Sequence, residues 1–127
     1  MKKKRGILLI NLGTPDSPSK LSVKRYLAEF LMDPYVIDIP YPLRLLLVKG
    51  IILNTRPKKS AHAYQAIWTD EGSPLLVYSQ ALTNKVKKNL QNDYTVALGM
   101  RYGNPSIQSA VSQLANCDSI VILPLFP

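Results

Sequence analysis

The decapeptide GILLINLGTP, residues 6–15, sets the fold. Ile7 to Ile10 is a short run, apolar at every position and with isoleucine at both ends. That is the pattern of a strand buried on both faces of a parallel sheet. The run gives way to Asn11, Leu12, Gly13, Thr14 and Pro15. Gly13 can take a positive φ, and Pro15 cannot donate to a strand ladder. Asn11 to Thr14 are therefore expected at the carboxyl end of a parallel strand, where open α/β sheets build their sites.

Outward from this strand, Ser17-Pro18-Ser19 offers a helix entry. Tyr26, Leu27, Phe30 and Leu31 then recur at helical spacing, which predicts a helix over Lys20 to Met32 with Ser19 as N-cap and Asp33-Pro34 as its stop. Tyr35 to Pro42 reads as extended, broken by two prolines. Leu43 to Leu53 is strongly apolar with only Arg44 and Lys49 charged, and it supports two readings. One is a core helix broken near Gly50. The other is an interfacial lip whose apolar face enters a headgroup region while Arg44 and Lys49 stay with anionic lipid. Asn54 to Ser60 reads as a basic turn, Ala61 to Trp68 as a helix, and Asp70 to Gly72 as a loop. Ser73-Pro74 pairs an N-cap with proline at the first helical position, and Leu75, Ser79, Leu82, Val86 and Leu90 mark one face of the helix that follows. Tyr94 to Gly99 predicts a second strand. Asn104 is expected to cap a helix whose apolar residues are Ile107, Ala110, Val111 and Leu114, and Ser119 to Leu125 predicts a third strand. This alternation argues for an α/β fold, a three-layer sandwich with a parallel sheet and right-handed crossovers. The whole chain, residues 1–127, is read as one domain. Its third strand has no closing helix after it, so the domain is expected to be incomplete at its C-terminal end.

Composition narrows the classes. Hydrophobic residues make up 46% of the chain, which excludes wholesale disorder. A formal charge of +8 favours anionic partners or serves solubility. The basic residues cluster at Lys2 to Arg5, at Arg56, Lys58 and Lys59, and at Lys85, Lys87 and Lys88; the last group falls at a helix end, where cations suit the helix dipole. Cys117 is the single cysteine, which excludes an internal disulfide and a CxxC metal knot and fits a reducing cytoplasm. The apolar stretch after Lys2 is too short for a signal peptide and runs into NLGTPD rather than a cleavage site, so the N-terminus is read as mature. No apolar segment is long enough to span a bilayer.

The strand ends gather Thr14, Tyr102, Arg101 and turn amides, with no paired carboxylates and no nucleophile beside a base. His62, the only histidine, sits alone, which argues against a metal role because such sites need several converging ligands. Neither GxGxxG after the first strand nor a P-loop pattern is present. What remains is a large apolar stretch, Leu43 to Leu53, beside Arg56, Lys58 and Lys59, a pairing that suits a flat apolar ligand bearing carboxylates.

The ordered set NLGTPD (11–16), KRYLAEFLMD (24–33), RPKKSAHAYQAIW (56–68), GSPL (72–75), LGMRYGNPSI (98–107) and VILPLFP (121–127) resembles the N-terminal part of bacterial ferrochelatases. The resemblance implies insertion of Fe2+ into a porphyrin, protoporphyrin IX or coproporphyrin, late in haem biosynthesis. It implies two α/β domains with the porphyrin between them, no covalently bound cofactor and no nucleic-acid partner. By position it carries porphyrin contacts to Leu12, Arg56, Lys59, Tyr64, Ser73, Arg101 and Tyr102, and it favours the lip reading of Leu43 to Leu53; the protein is expected to be cytoplasmic or peripheral on the inner face of the membrane. The family's histidine base and its glutamate partner lie in the second half of its members, so no catalytic or metal residue is expected here, and this chain alone is expected to be inactive. The rival readings are a porphyrin-binding half-cleft and an interaction module that docks through its sheet edge.

Overall fold

The computed structural model describes residues 3–127; Lys2, in the first basic cluster, lies outside the described residues. The chain divides into two compact units, one formed by Met1–Thr14 with Leu75–Pro127 and the other by Pro15–Pro74.

The first unit holds a three-stranded parallel sheet. Strand β1 (Arg5–Thr14) is central, with β2 (Tyr94–Gly103) on one side and β3 (Ser119–Pro124) on the other. Leu8 pairs with Ala97 and with Ile122, and Leu9 with Leu98 and Leu123. Alternation then sends neighbouring residues to opposite faces. On one face Leu8 and Ala97 pack with Ala110 and Leu114 at helix α5 (Ile107–Gln113). On the other, Leu9, Val96, Leu98 and Met100 pack against Leu76 and Val86 of helix α4 (Pro74–Leu90). The expected three layers are thus present. The predicted strand Tyr94 to Gly99 extends four residues further, so β2 itself carries Arg101 and Tyr102.

Three expectations shift in this unit. Leu75 and Leu82 of α4 face outward, and the inward stripe is Leu76, Ser79, Thr83 and Val86. Two hydroxyls can sit in that stripe because both are bonded: Ser79 accepts from Asn11, and Thr83 donates to the Ser79 carbonyl at 2.8 Å. Helix α5 starts after Ser106 rather than Asn104. Ser106 has the extended backbone of an N-cap and its hydroxyl accepts the Ser109 N–H at 3.1 Å, while the Asn104–Pro105 bond before it is cis. Finally β3, apolar along its length, is exposed at all six residues, since neither α4 nor α5 reaches over this edge strand.

The second unit is helical. Helix α1 (Lys20–Leu31) starts as expected at Ser19, whose hydroxyl accepts the Ser22 N–H at 3.2 Å. Tyr35 to Ile39 forms turns rather than an extended segment. From Tyr41 the chain is continuously helical for 27 residues: α2 (Tyr41–Leu45), a π-helix (Leu46–Ile52) and α3 (Leu53–Ile67). There is no break at Gly50 and no basic turn at Asn54 to Ser60. The sequence signs of a turn, Asn54, Thr55 and Pro57, are accommodated inside the helix. Asn54 Nδ2 donates to the Gly50 carbonyl and Thr55 Oγ1 to the Ile51 carbonyl, each at 3.0 Å, which satisfies oxygens along the wider π turn. Pro57 is buried on the inner stripe that it shares with Leu53 and Ala61. Leu31, Val48 and Leu53 form the core of this unit.

Candidate functional site

In the sheet unit, the site residues are set by the last turn of β1 against β2. Asn11 pairs with Met100 and Gly13 with Tyr102, so Leu12 and Arg101 stand level with one another on adjacent strands. The Asn11 side chain fixes this end twice over. Its Nδ2 donates to Ser79 Oγ at 3.0 Å, anchoring β1 to α4, and its Oδ1 accepts the Leu12 N–H at 2.8 Å. The Leu12 side chain itself is exposed. Arg101 is exposed as well, and its guanidinium carbon lies 4.7 Å from the centroid of the Tyr102 ring. Tyr102 itself is buried, so it has little surface to offer a ligand. Chemically, this end presents an apolar side chain and a fixed cation side by side.

In the helical unit, Arg56 and Lys59 are exposed on α3 and Tyr64 is half-buried on the same helix. At 3.6 residues per turn, Lys59 and Tyr64 are roughly 140° apart around the axis, so they do not share a face. Arg56 lies between them in direction, roughly 80° from Tyr64. Tyr64 meets Tyr26 edge-on, with ring centroids 6.4 Å apart, and Trp68 likewise at 6.4 Å, while Tyr26 stacks on Phe30 at 6.2 Å. Burial pushes the Tyr64 phenol above the ordinary tyrosine value. Its raised folded-state pKa has a signed consequence. The linked stability is fully present below the unfolded value of about 10 and is lost as pH rises through the folded value. Denaturant midpoints of the parent chain and Tyr64→Phe are expected to converge or hold steady at neutral pH and to separate above pH ~10, with the parent losing more. Parallel curves throughout would show that the phenol is not desolvated. Ser73 is buried immediately before α4.

The Leu43 to Leu53 segment turns Val48 and Leu53 into the core and leaves Leu43, Leu46 and Ile51 exposed, Leu46 by 65%. Arg44 corrects the expectation that it stays with lipid. It is buried, its Nη1 donates to the Ile39 carbonyl at 2.9 Å, and its guanidinium carbon lies 5.6 Å from the Tyr41 ring centroid. The cation closes the 35–40 turns from inside, and the leucines take the outer surface; Lys49 remains exposed. Among the described residues no helix is long and apolar enough to cross a membrane, and no three His, Cys, Asp or Glu side chains converge.

The sequence model of the ferrochelatase family matches residues 4–127. The chain belongs to the ferrochelatase family. It is 56% identical over 126 residues to a ferrochelatase of Coxiella burnetii (strain Dugway 5J108-111), covering 98% of this chain and 36% of that protein. To a ferrochelatase of Legionella pneumophila (strain Paris) it is 55% identical over 124 residues, covering 98% of this chain and 38% of the relative. The chain thus spans a little over a third of the length of the curated ferrochelatases it matches.

Of the residues that the ferrochelatase resemblance singled out, the structure brings Leu12, Arg101 and Tyr102 together in the sheet unit, while Arg56, Lys59, Tyr64 and Ser73 belong to the helical unit. Sequence reasoning missed the Asn11–Ser79 tie that holds Leu12 in place. Its signal was a serine in the middle of an apolar helical stripe, since a hydroxyl that faces a core must find a partner there. It also missed the aromatic row around Tyr64, visible as Tyr26 and Phe30 at helical spacing on α1 and as Tyr64 on α3 four residues before Trp68 at its C-cap.

Proposed function

We propose that this chain is the N-terminal part of a ferrochelatase that inserts Fe2+ into a porphyrin, protoporphyrin IX or coproporphyrin, releasing two protons as the metal replaces them on the pyrrole nitrogens. The observation that carries this reading is the pairing of exposed Leu12 with Arg101 at the carboxyl ends of β1 and β2, in a chain of this family. Leu12 offers the macrocycle an apolar contact. Arg101 is held over the Tyr102 ring, so Tyr102 acts by positioning it. Arg56 and Lys59, exposed on α3, are the cations suited to carboxylate side arms, and half-buried Tyr64 and buried Ser73 are carried as further porphyrin contacts by the family resemblance.

Insertion requires a bent macrocycle and a base that removes protons from nitrogen. Leu12, Arg101 and Tyr102 can bind and orient, but they include no proton acceptor suited to neutral pH. His62 is exposed on α3 and no metal-binding cluster forms around it among the described residues. On this reading the base, and a second domain that completes the porphyrin cleft, come from the remaining length that the relatives possess. The 127-residue chain then binds porphyrin without metallating it. The exposed Leu43, Leu46 and Ile51, with Lys49 among them, support contact of a cytoplasmic protein with the inner membrane surface.

The test is a porphyrin titration of the chain followed in the Soret band, then addition of Fe2+ or Zn2+ under anaerobic conditions. A saturable Soret shift with no metalloporphyrin spectrum is expected. Metallation above the protein-free blank would overturn the assignment of the base to the remaining length. Absence of any shift would overturn the claim that this portion binds the macrocycle by itself.

A further inference from the structure

The second unit contains a cleft of about 560 Å3 that the porphyrin reading uses only at Lys59. It is lined by Lys20 from α1 and by Thr55, Lys58, Lys59, Ala61, His62 and Gln65 from α3. Gln65 Nε2 donates to the Pro18 carbonyl at 3.3 Å, which ties the start of α1 to α3 and brings Lys20 into the same hollow as the other basic groups. Among the described residues, no carboxylate lines the cleft. Lys20, Lys58, Lys59 and His62 are all exposed, and none of their side chains makes a hydrogen bond or ion pair to another described residue.

The ordinary reasons for basic residues are missing at this place. Lys87 and Lys88 lie in the last turn of α4, where the helix dipole favours cations. Lys20 stands at the opposite kind of position, the first residue of α1, in a first turn without any acidic residue. The dipole there disfavours a cation. Lys58 and Lys59 are mid-helix, with no acidic residue on the same wall to offset their repulsion. An anion that enters the cleft relieves all of these at once. Lysines bind as point charges, without the planar fork that matches a carboxylate, so several of them around one hollow suit the three-oxygen, doubly charged face of a phosphate group.

We propose that the Lys20–Lys58–Lys59–His62 cleft is an oxyanion site that receives a phosphate group. That group can come from a soluble phosphate compound or from a lipid headgroup. The second source rests on the membrane-facing lip proposed above. Exposed Ile51 lies one turn before Thr55, joined to it by the 3.0 Å hydroxyl–carbonyl bond, so lip and cleft follow one another on a single helical segment.

The test compares two charge-matched double variants of the 127-residue chain, Lys20→Gln with Lys58→Gln and Lys87→Gln with Lys88→Gln. Lys59 is left in place because the porphyrin reading uses it. The probes are inorganic pyrophosphate, followed by calorimetry, and phosphatidylcholine vesicles with and without phosphatidylglycerol, followed by co-sedimentation. The Lys20/Lys58 pair is expected to weaken binding of at least one probe by roughly tenfold or more, with less than about a twofold effect from the Lys87/Lys88 pair. Loss confined to pyrophosphate assigns the soluble source, and loss confined to phosphatidylglycerol vesicles assigns the headgroup. The proposal is overturned if neither probe binds saturably, or if the two pairs weaken binding equally, since net charge alone would then account for it. Neither Lys20 nor Lys58 is assigned to the macrocycle, so failure here leaves the Soret titration standing.

Discussion

Gly13→Ala is expected to destabilise the chain by on the order of 4 kcal/mol, a large share of the stability of an ordinary domain. Two costs add. Gly13 has φ of 129°, a conformation that a residue with a side chain rarely adopts. The added methyl would also overlap the carbonyl oxygen of Tyr102 and lie 2.8 Å from its carbon. Those atoms are backbone, and they belong to the β1–β2 ladder at the pair Gly13–Tyr102, so neither can swing aside as a side-chain tip would. Relief requires opening the carboxyl ends of both strands, the place where Leu12 and Arg101 stand. Gly99→Ala is the internal comparison. Its methyl would meet the Ile107 Cα at 2.9 Å and the Ala110 Cβ at 3.3 Å, so α5 must move outward by a few tenths of an ångström. That is an overpacking cost of about 1–3 kcal/mol without a forbidden φ. Urea unfolding of both variants should rank Gly13→Ala well below Gly99→Ala. If Gly13→Ala unfolded with the parent, the turn at the end of β1 would not have the geometry described.

The sheet was legible because its strands are short apolar runs separated by strongly periodic helices, and that pattern leaves few topologies open. Ile7 to Ile10, Tyr94 to Gly99 and Ser119 to Leu125 all fall inside observed strands or at their ends. The misreadings share a cause, which is tertiary context overruling a local signal. Asn54, Thr55 and Pro57 announce a turn by composition, yet Leu53, Pro57 and Ala61 align as a buried stripe, and that burial keeps the helix running through them. Arg44 in an apolar run invites the picture of a charge reaching for lipid. The turns at 35–40 present a carbonyl, Ile39, that the guanidinium satisfies from inside. On α4 the expected face kept Ser79 and Val86 and differed at Leu75 and Leu82, because Thr83, whose hydroxyl donates to the Ser79 carbonyl, turns inward beside Leu76 in their place.

The site was legible as a set of residues and not as an arrangement. Motifs name side chains in order along the chain, but they do not say which side of a helix each occupies. Lys59 and Tyr64 are five positions apart, a spacing that separates them around α3, and Lys59 opens instead into the cleft with Lys20, Lys58 and His62. Exposure was likewise out of reach: Leu12 and Tyr102 belong to equally apolar-looking strand ends, yet they stand one register position apart, so their side chains leave opposite faces of the sheet, one exposed and the other buried.

That contrast sets the second large effect. Tyr102→Ala is expected to cost about 3–5 kcal/mol, the usual range for emptying a buried aromatic site. Tyr102→Phe should stay within about 1.5 kcal/mol of the parent, since the ring that packs and that carries Arg101 at 4.7 Å is preserved. Leu12→Ala removes an exposed side chain and should shift the unfolding midpoint little. Porphyrin affinity in the Soret titration is expected to part from stability at Leu12 and to follow it at Tyr102. Leu12→Ala weakens it at unchanged stability, because Leu12 offers its surface to the ligand. Tyr102→Ala weakens it only by unfolding the strand end, so affinity and stability fall together, and Tyr102→Phe restores both. A Tyr102→Phe variant with parental stability and lost porphyrin affinity would put the phenol in direct contact with the ligand and end the view of Tyr102 as a support for Arg101. A Leu12→Ala variant that bound porphyrin like the parent would remove the exposed residue on which the strand-end reading rests, and would shift the macrocycle's contacts to the α3 residues Arg56, Lys59 and Tyr64.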